Sequence, residues 1–322
     1  MKALCFELFG DAEVLLYKEL PDPVIGEREI LVRMKAIGLN FADIYRRRGN
    51  YHLKGNPPYI LGYEGAGTVE QVGKSVTAFQ IGDRVAFADV PHANAELVAV
   101  PEDHAVPIPG DISFETAASL LLQGWTAHYL TQDSYKVIEG TQVLIHAAAG
   151  GVGQLLSQIC KLRGAYVVGL TSTPAKREVA LKAGADKVLL YAEHWVEKAD
   201  LLTREQKGFD VVYDSVGSTL EESFLATKIG GTVVFYGMSG GDPQSIDPRM
   251  LMDGSKTLTG GDLWNYLTSH MERVTRANEL FEWLRTKQLR LAAPTLYKLS
   301  EGAEAHRYME SRHSTGKILL IP

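Results

Sequence analysis

A chain of 322 residues exceeds what one hydrophobic core usually organises, and a hydrophobic content of 45% is enough to fill two domains. The formal net charge of -6 gives no global attraction to phosphate backbones or anionic membrane surfaces, so nucleic acid is not the expected partner. Cys5 and Cys160 are the two cysteines, which excludes a disulfide framework and a four-thiolate zinc site within one chain. The cytosol is the expected compartment: Glu7 and Asp11 arrive too early for the apolar core of a signal peptide, and Gly, Gln and Thr interrupt the long uncharged stretches.

Residues 1 to about 122 are rich in Gly, Pro and short β-branched runs, with strands predicted at Ile30 to Lys35, Gly67 to Val72 and Arg84 to Ala88. Gly82-Asp83 supplies a turn before the last of these, and Pro101 to Pro109 reads as a stiff connector. This is the pattern of a compact β domain. From Ser119 the windows lengthen into helical spacing, followed by the short apolar run Val143-Leu-Ile-His146, which predicts a buried parallel strand. Leu155 to Leu162 then repeats at helical spacing, and Tyr166-Val-Val-Gly-Leu170 predicts a second buried strand, so the three form a β-α-β unit. Similar alternation at Lys187 to Tyr191, Phe209 to Tyr213 and Gly231 to Tyr236 predicts a doubly wound parallel sheet. Past about Trp264 a helix is expected from Met271 to Lys287, and Lys317-Ile-Leu-Leu-Ile321 reads as a strand returning to the first domain.

The decisive local motif is His146-Ala-Ala-Ala-Gly-Gly-Val-Gly153, lying between a predicted strand and a predicted helix. Backbone amides there converge on a pyrophosphate at the positive end of the helix, and a side chain at Gly150 or Gly151 would obstruct that approach. Gly153 allows helix and sheet to approach closely, while alanine replaces the usual first glycine of the dinucleotide fingerprint. An ordinary strand-to-helix turn is the competing reading. No acidic residue follows the second strand, where one would accept hydrogen bonds from the ribose hydroxyls of NAD. Thr171-Ser-Thr-Pro-Ala-Lys176-Arg177 instead offers hydroxyls and positive charge suited to a 2′-phosphate, which selects NADPH.

Five ordered motifs span nearly the whole chain: Gly38-Leu-Asn-Phe-Ala-Asp-Ile-Tyr45, Leu61-Gly-Tyr-Glu-Gly-Ala-Gly67, the Ala-Ala-Ala-Gly-Gly-Val-Gly loop, Tyr213-Asp-Ser-Val-Gly217 and Gly316-Lys317. Together they resemble the medium-chain dehydrogenase/reductase superfamily, and within it the zinc-free quinone oxidoreductase branch that includes zeta-crystallin-like enzymes. The resemblance implies an α/β protein with a GroES-like β catalytic domain, residues 1–122 and 262–322, and a Rossmann NADPH-binding domain, residues 123–261. It further implies that Asn40 and Tyr45 approach the nicotinamide, that Thr126 sits at the domain junction, and that Gly150, Gly151, Val152 and Gly153 face the pyrophosphate. Thr171, Ser172, Lys176 and Tyr191 would surround the adenosine phosphate, and Ser215, Tyr236, Gly237, Met238, Ser239, Leu263 and Lys317 would complete the cradle. Two departures stand out, Ser172 where relatives often carry Gly and Tyr63 where they often carry Thr.

The zinc-dependent alcohol dehydrogenases of the same superfamily hold their metal partly through a Gly-His-Glu histidine, and here that motif reads Gly62-Tyr63-Glu64. A phenol is a poor zinc ligand at neutral pH, so no metal is expected. Without a Lewis acid the acceptor must already be electrophilic, as a quinone or an α,β-unsaturated carbonyl is. Tyr45, Tyr51 and Asn40 are the candidate donors to the oxyanion that hydride transfer creates, the competing reading being that both tyrosines merely pack in a loop beside a solvent-facing Arg46-Arg47-Arg48 run. Alternatives are an alkenal or enone reductase of the same branch and a non-catalytic NADPH- or RNA-binding crystallin-like protein. An apolar strand edge near Leu258 to Leu263 suggests a homodimer.

Overall fold

The computed structural model describes residues 1–53 and 55–322. The chain forms two compact units, one of Met1–Leu122, Leu267–Trp283 and Leu291–Pro322, the other of Gln123–Tyr266 and Leu284–Arg290. Among the described residues no helix is long and apolar enough to cross a membrane.

The first unit is built on mostly antiparallel sheet, with one parallel pair between Thr295–Lys298 and Ile318–Ile321. Its larger sheet runs, in spatial order, Thr295–Lys298, Ile318–Ile321, Glu29–Leu39, Glu64–Val72, Arg84–Ala88 and Ala105–Pro107, with Leu97–Pro101 also paired to Glu29–Leu39. The long strand Glu29–Leu39 is buried towards both ends and alternates only from Val32 to Ala36, where Arg33 and Lys35 are exposed, and Ile30, Val32, Met34 and Ile37 share one core with Phe6, Val85 and Phe87. The carboxyl-terminal strand predicted from Lys317 begins at Ile318 and pairs antiparallel with Glu29–Leu39, as Ile318 opposite Leu39 shows. Pro101–Pro109 is not a mere connector. It contains the edge strand Ala105–Pro107, where Pro107 stands opposite Val85 and its missing N–H is tolerated because no further strand follows.

The second unit carries a six-stranded, wholly parallel sheet ordered Lys187–Leu190, Tyr166–Thr171, Gln142–Ile145, Phe209–Asp214, Thr227–Phe235, Thr257–Gly260. The chain starts at the central strand Gln142–Ile145, winds outward to one side and then returns to build the other. The topological switch therefore lies beside that strand, where ligands of this architecture bind. Leu144, Val168, Val212 and Val233 come from four adjacent strands and share one core with Phe209, Phe224 and Trp195.

This unit extends past residue 261 to Tyr266, because Tyr266 stacks on Tyr129 with ring centroids 4.5 Å apart and the Tyr129 hydroxyl donates to Gly261 O at 2.9 Å. Leu284–Arg290 rejoins it through a reciprocal pair: Gln158 donates to Arg290 O at 3.0 Å and accepts from Arg290 N at 2.7 Å. The helix predicted at Met271 to Lys287 runs His270–Arg285.

Leu144 is fully buried on the central strand, with Val168 and Val212 as its register partners on either side. Leu144→Ala is expected to destabilise the second unit by about 2–5 kcal/mol, since neighbours held in two ladders cannot collapse into the cavity. Urea unfolding followed by intrinsic fluorescence measures it.

Candidate active site

In the second unit the strand Gln142–Ile145 ends at His146, and the chain turns through Ala147 at φ 48 into the helix Gly151–Leu162. Gly150 N donates to Ala147 O at 2.8 Å and Ala148 N to Leu170 O at 3.0 Å, so the turn is tied both to itself and to the neighbouring strand. No side chain caps the helix at Gly150, which leaves its first-turn amides to an external acceptor. A Cβ at Gly153 would collide with the Ala147 carbonyl oxygen and lie 2.8 Å from Ala148 Cα, so only glycine lets the helix start this close to the strand end. Gly151 makes room for a contact the motif did not reveal: a side chain there would displace the Gln123 amide. Val152 is half-buried in the same first turn, and the buried Thr126 lies in the helix Phe114–Tyr129.

Thr171 ends the strand Tyr166–Thr171 and is 1% exposed, yet its hydroxyl oxygen has no hydrogen-bond partner. A buried hydroxyl without a partner costs free energy, so one at the mouth of a nucleotide fold is an open contact. Ser172 is exposed, and Thr173 caps the helix Pro174–Lys182 by accepting from Lys176 N at 3.3 Å. Lys176 is half-buried in that first turn. Arg177 instead pairs with Glu193 at 2.7 Å, and this hydrogen bond holds the Glu193 carboxyl below its ordinary range. The Tyr191 hydroxyl is turned inward, accepting from Ala147 N at 3.0 Å and facing His146 Nδ1 at 3.2 Å, and burial pushes its ionisation well up.

Ser215 follows the strand Phe209–Asp214, and its carbonyl accepts from both the amide and the hydroxyl of Ser239 at 3.0 and 2.9 Å. Tyr236-Gly-Met-Ser239 thus lies along Ser215, close enough that a Cβ at Gly237 would meet Ser215 O at 3.1 Å. The buried Leu263 begins a short turn capped by Asp262. The fold therefore gathers the Gly150–Gly153 loop, Thr171, Tyr191, Ser215 and residues 236–239 at the carboxyl ends of the parallel strands.

In the first unit Asn40 starts the helix Phe41–Arg47, and the Asp43 side chain reaches back to accept from its backbone amide at 2.9 Å. Its side-chain amide donates to Glu64 at 3.0 Å and to Gly38 O at 3.4 Å, so both amide hydrogens are committed and Asn40 has none for a substrate oxyanion. Lys317 Nζ, 4% exposed, reaches Asn40 Oδ1 at 2.9 Å and Glu64 Oε2 at 2.5 Å, while Glu64 Oε1 accepts from Leu122 N at 2.7 Å. Lys317 is thus bound to the first unit's own buried carboxylate. Gly38 is glycine because any Cβ would run into Glu64.

The Arg46-Arg47-Arg48 run does not face solvent. Arg46 and Arg47 are 2% and 0% exposed, and of the three only Arg48 reaches water. The Arg46 guanidinium lies over the Tyr63 ring at 3.6 Å and the Tyr51 ring at 5.0 Å, donates to His52 O at 3.1 Å and pairs with Asp43 at 3.6 Å. Burial still pushes the Asp43 carboxyl up, against the pull of Arg46. Tyr45 and Tyr51 are half-buried, edge to face, with centroids 6.4 Å apart. Arg47 donates to His306 Nδ1 at 3.0 Å and pairs with Glu310 at 2.7 Å, anchoring the helix end. The Glu64–Lys317 pair was not legible in advance because its members lie 253 positions apart, and the Arg46 stack was hidden because three consecutive arginines read as a solvated face.

Residues 26–140 match the family model described as alcohol dehydrogenase GroES-like domain, and residues 151–279 the one described as zinc-binding dehydrogenase. A quinone oxidoreductase of Pseudomonas aeruginosa is 37% identical across 100% of this chain and 99% of its own. The chain belongs to the quinone oxidoreductase branch of the medium-chain dehydrogenase/reductase superfamily. The crystal structure of Escherichia coli quinone oxidoreductase complexed with NADPH superposes with a TM-score of 0.96 at 36% identity, covering both chains fully. A 2-haloacrylate reductase of a Burkholderia species is 34% identical over 97% of this chain and 96% of its own. The branch is an oxidoreductase branch, so the protein is an enzyme of that class.

One family description names zinc, and the residues at the Gly-Tyr-Glu motif do not suit it: Tyr63 lies under a guanidinium and Glu64 is neutralised by Lys317. Among the described residues no group of three or more His, Cys, Asp or Glu is placed to hold a metal ion.

Two outcomes follow from these pairs. Lys317→Met leaves Glu64 buried without its cation and is expected to cost about 3–5 kcal/mol of stability, read from denaturant midpoints. Burial first, and then the Arg47 charge, press the His306 ring down to about 3 from an ordinary 6.5. The unfolded ring therefore takes up a proton first on acidification, so stability is full above about 6.5 and is lost as pH falls towards about 3. His306→Asn, which does not titrate, should flatten that acid limb in melts recorded across the window.

Proposed function

We propose that this enzyme is a zinc-independent, NADPH-dependent quinone oxidoreductase. The observation that carries the coenzyme choice is the buried, unpartnered Thr171 hydroxyl at the end of a strand that no acid follows, with Lys176 in the next helical turn. When bound, the coenzyme supplies the hydride. In this reading Gly150, Gly151, Val152 and Gly153 hold the pyrophosphate by their backbone, and Thr171, Ser172 and Lys176 receive the 2′-phosphate. Tyr191 then packs by its ring, since its hydroxyl is engaged internally. Ser215, Tyr236, Gly237, Met238, Ser239, Leu263 and Thr126 line the remainder. Asn40, Tyr45 and Lys317 belong to the nicotinamide end, with Lys317 acting there by holding Asn40 in place.

The chain's own contribution to the reaction is orientation, exclusion of water and a proton. Hydride addition to a conjugated carbonyl places negative charge on the carbonyl oxygen, and a phenol stabilises it by hydrogen bonding and then protonates it. With the Asn40 amide committed, Tyr45 and Tyr51 are the donors, and the Arg46 guanidinium 5.0 Å from the Tyr51 ring helps to fix that ring in place. A quinone ends as a hydroquinone. The resemblance to a 2-haloacrylate reductase supports activated alkenes as a second acceptor class on the same donors. The enzyme works in the cytoplasm as a homodimer, joined along the sheet edge Thr257–Gly260, where Leu258 is 36% exposed.

An acceptor screen following NADPH absorbance, with NADH in parallel, is the direct test; turnover of quinones with NADPH is the expected result, and NADH preference or inert quinones would overturn the proposal. Lys176→Ala should lower the preference for NADPH over NADH by about tenfold to a hundredfold, the worth of a charge-assisted hydrogen bond to phosphate. Tyr45→Phe combined with Tyr51→Phe should lower kcat by about a hundredfold or more, with NADPH binding retained. Light scattering at working concentration decides the dimer.

A further inference from the structure

Beneath the glycine loop lies a polar chain that the proposed reaction does not use. His146, Ser223 and Asp214 are each fully buried, and the Trp195 ring closes on the imidazole edge to face with centroids 5.3 Å apart. Asp214 Oδ1 accepts from Val216 N and Gly217 N at 2.8 and 3.0 Å, and Oδ2 from the Thr219 and Ser223 hydroxyls at 2.9 and 2.7 Å. Burial works against the charge on Asp214, but the hydrogen bonds it accepts from Gly217, Ser223 and Val216 favour it, and the carboxyl is held below its ordinary range, so it is an anion.

Proton positions then follow in sequence. The carboxylate can only accept, so the single Ser223 hydroxyl hydrogen points at it, in preference to the neutral Thr219 O at 3.1 Å. Towards His146 Nε2, 3.0 Å away, the Ser223 oxygen can therefore only accept, and Nε2 carries the hydrogen. Burial keeps the ring neutral, so Nδ1 is a lone pair. It accepts the Tyr191 hydroxyl hydrogen at 3.2 Å, and the Tyr191 oxygen accepts Ala147 N–H at 3.0 Å. Every link points the same way, from Ala147 through Tyr191, His146 and Ser223 to Asp214.

We infer that His146, as the Nε2–H tautomer, is a positioning residue that locks the pyrophosphate loop at Ala147 to the Ser215–Gly217 loop at Asp214, so that both are preset for coenzyme. Three strand ends otherwise separated in sequence are made one body by it. Without the His146 link, Ala147 at φ 48, outside the regions non-glycine residues prefer, loses the anchor that holds its amide. Because one-way hydrogen-bonded chains polarise one another, breaking any link weakens the rest.

This inference rests on the NADPH reading, and the test separates the two. In wild-type protein without coenzyme, spectra of 15N-labelled histidine should report His146 as the neutral Nε2–H tautomer; an Nδ1–H tautomer or a protonated ring would overturn the inference. Ser223→Ala lies outside the proposed coenzyme contacts, yet it should raise the Kd for NADPH by about three- to tenfold and speed exchange of the Ala147 amide. Introduced into Tyr191→Phe, where the chain is already cut, Ser223→Ala should add less than about twofold. Fully additive effects, or an Ala147 amide unchanged in Ser223→Ala, would overturn the lock while leaving the coenzyme assignment standing. A wild-type protein that ignores NADPH but shows the Nε2–H tautomer would instead overturn the coenzyme assignment and, with it, the role given to the lock.

Discussion

A polar or charged group withdrawn from water must find a partner, and in this protein that requirement orders a buried carboxylate in each of the two units. Glu64 is fully buried and is met by Lys317, Asn40 and the Leu122 amide. Asp214 is fully buried and is met by four donors on the loop and helix that follow it. In each case the carboxylate sits at the end of a strand and draws a neighbouring backbone segment into one fixed position. The Thr171 hydroxyl is among the buried polar atoms left without a partner, and it lies at the carboxyl end of a parallel strand.

The chemistry that follows is one of preorganisation. A helix start without a side-chain cap, at the end of a parallel strand, leaves backbone amides that suit an anion without a charged side chain having to move. The first unit replaces a metal-binding motif with an internal ion pair and an arginine stacked on two tyrosine rings, so its electrostatics are set by residues that stay in place. A hydride acceptor for such a site has to be electrophilic on its own account, which is the property shared by quinones and activated alkenes.

Much of the architecture was legible from hydrophobic pattern. The strands at Arg84–Ala88, Gln142–Ile145 and Tyr166–Thr171 fall where short apolar runs between small residues placed them. The edge strand Ala105–Pro107 was not, because the prolines at 101, 107 and 109 in and around it mimic a loop and only the partner strand reveals the pairing. The Arg46-Arg47-Arg48 run misled for a similar reason. Three consecutive cations read as a solvated face, but helical geometry turns two of them inward, Arg46 onto Asp43 of its own helix and Tyr63 of another segment, Arg47 onto His306 and Glu310.

The sequence by itself determined the parallel βαβ frame, the glycine loop between strand and helix, and the absence of an acid after the second strand. Each of these is a local property, written in residues adjacent to one another or at a fixed period. Only the tertiary structure decided that Asn40 is held by Lys317 from 277 positions away, that Gly38 yields to Glu64, and that His146 passes a directed set of hydrogen bonds to Asp214. Those facts depend on which side chains meet across the sheet, and the pairing of buried donors with buried acceptors is fixed by packing in three dimensions and not by order along the chain.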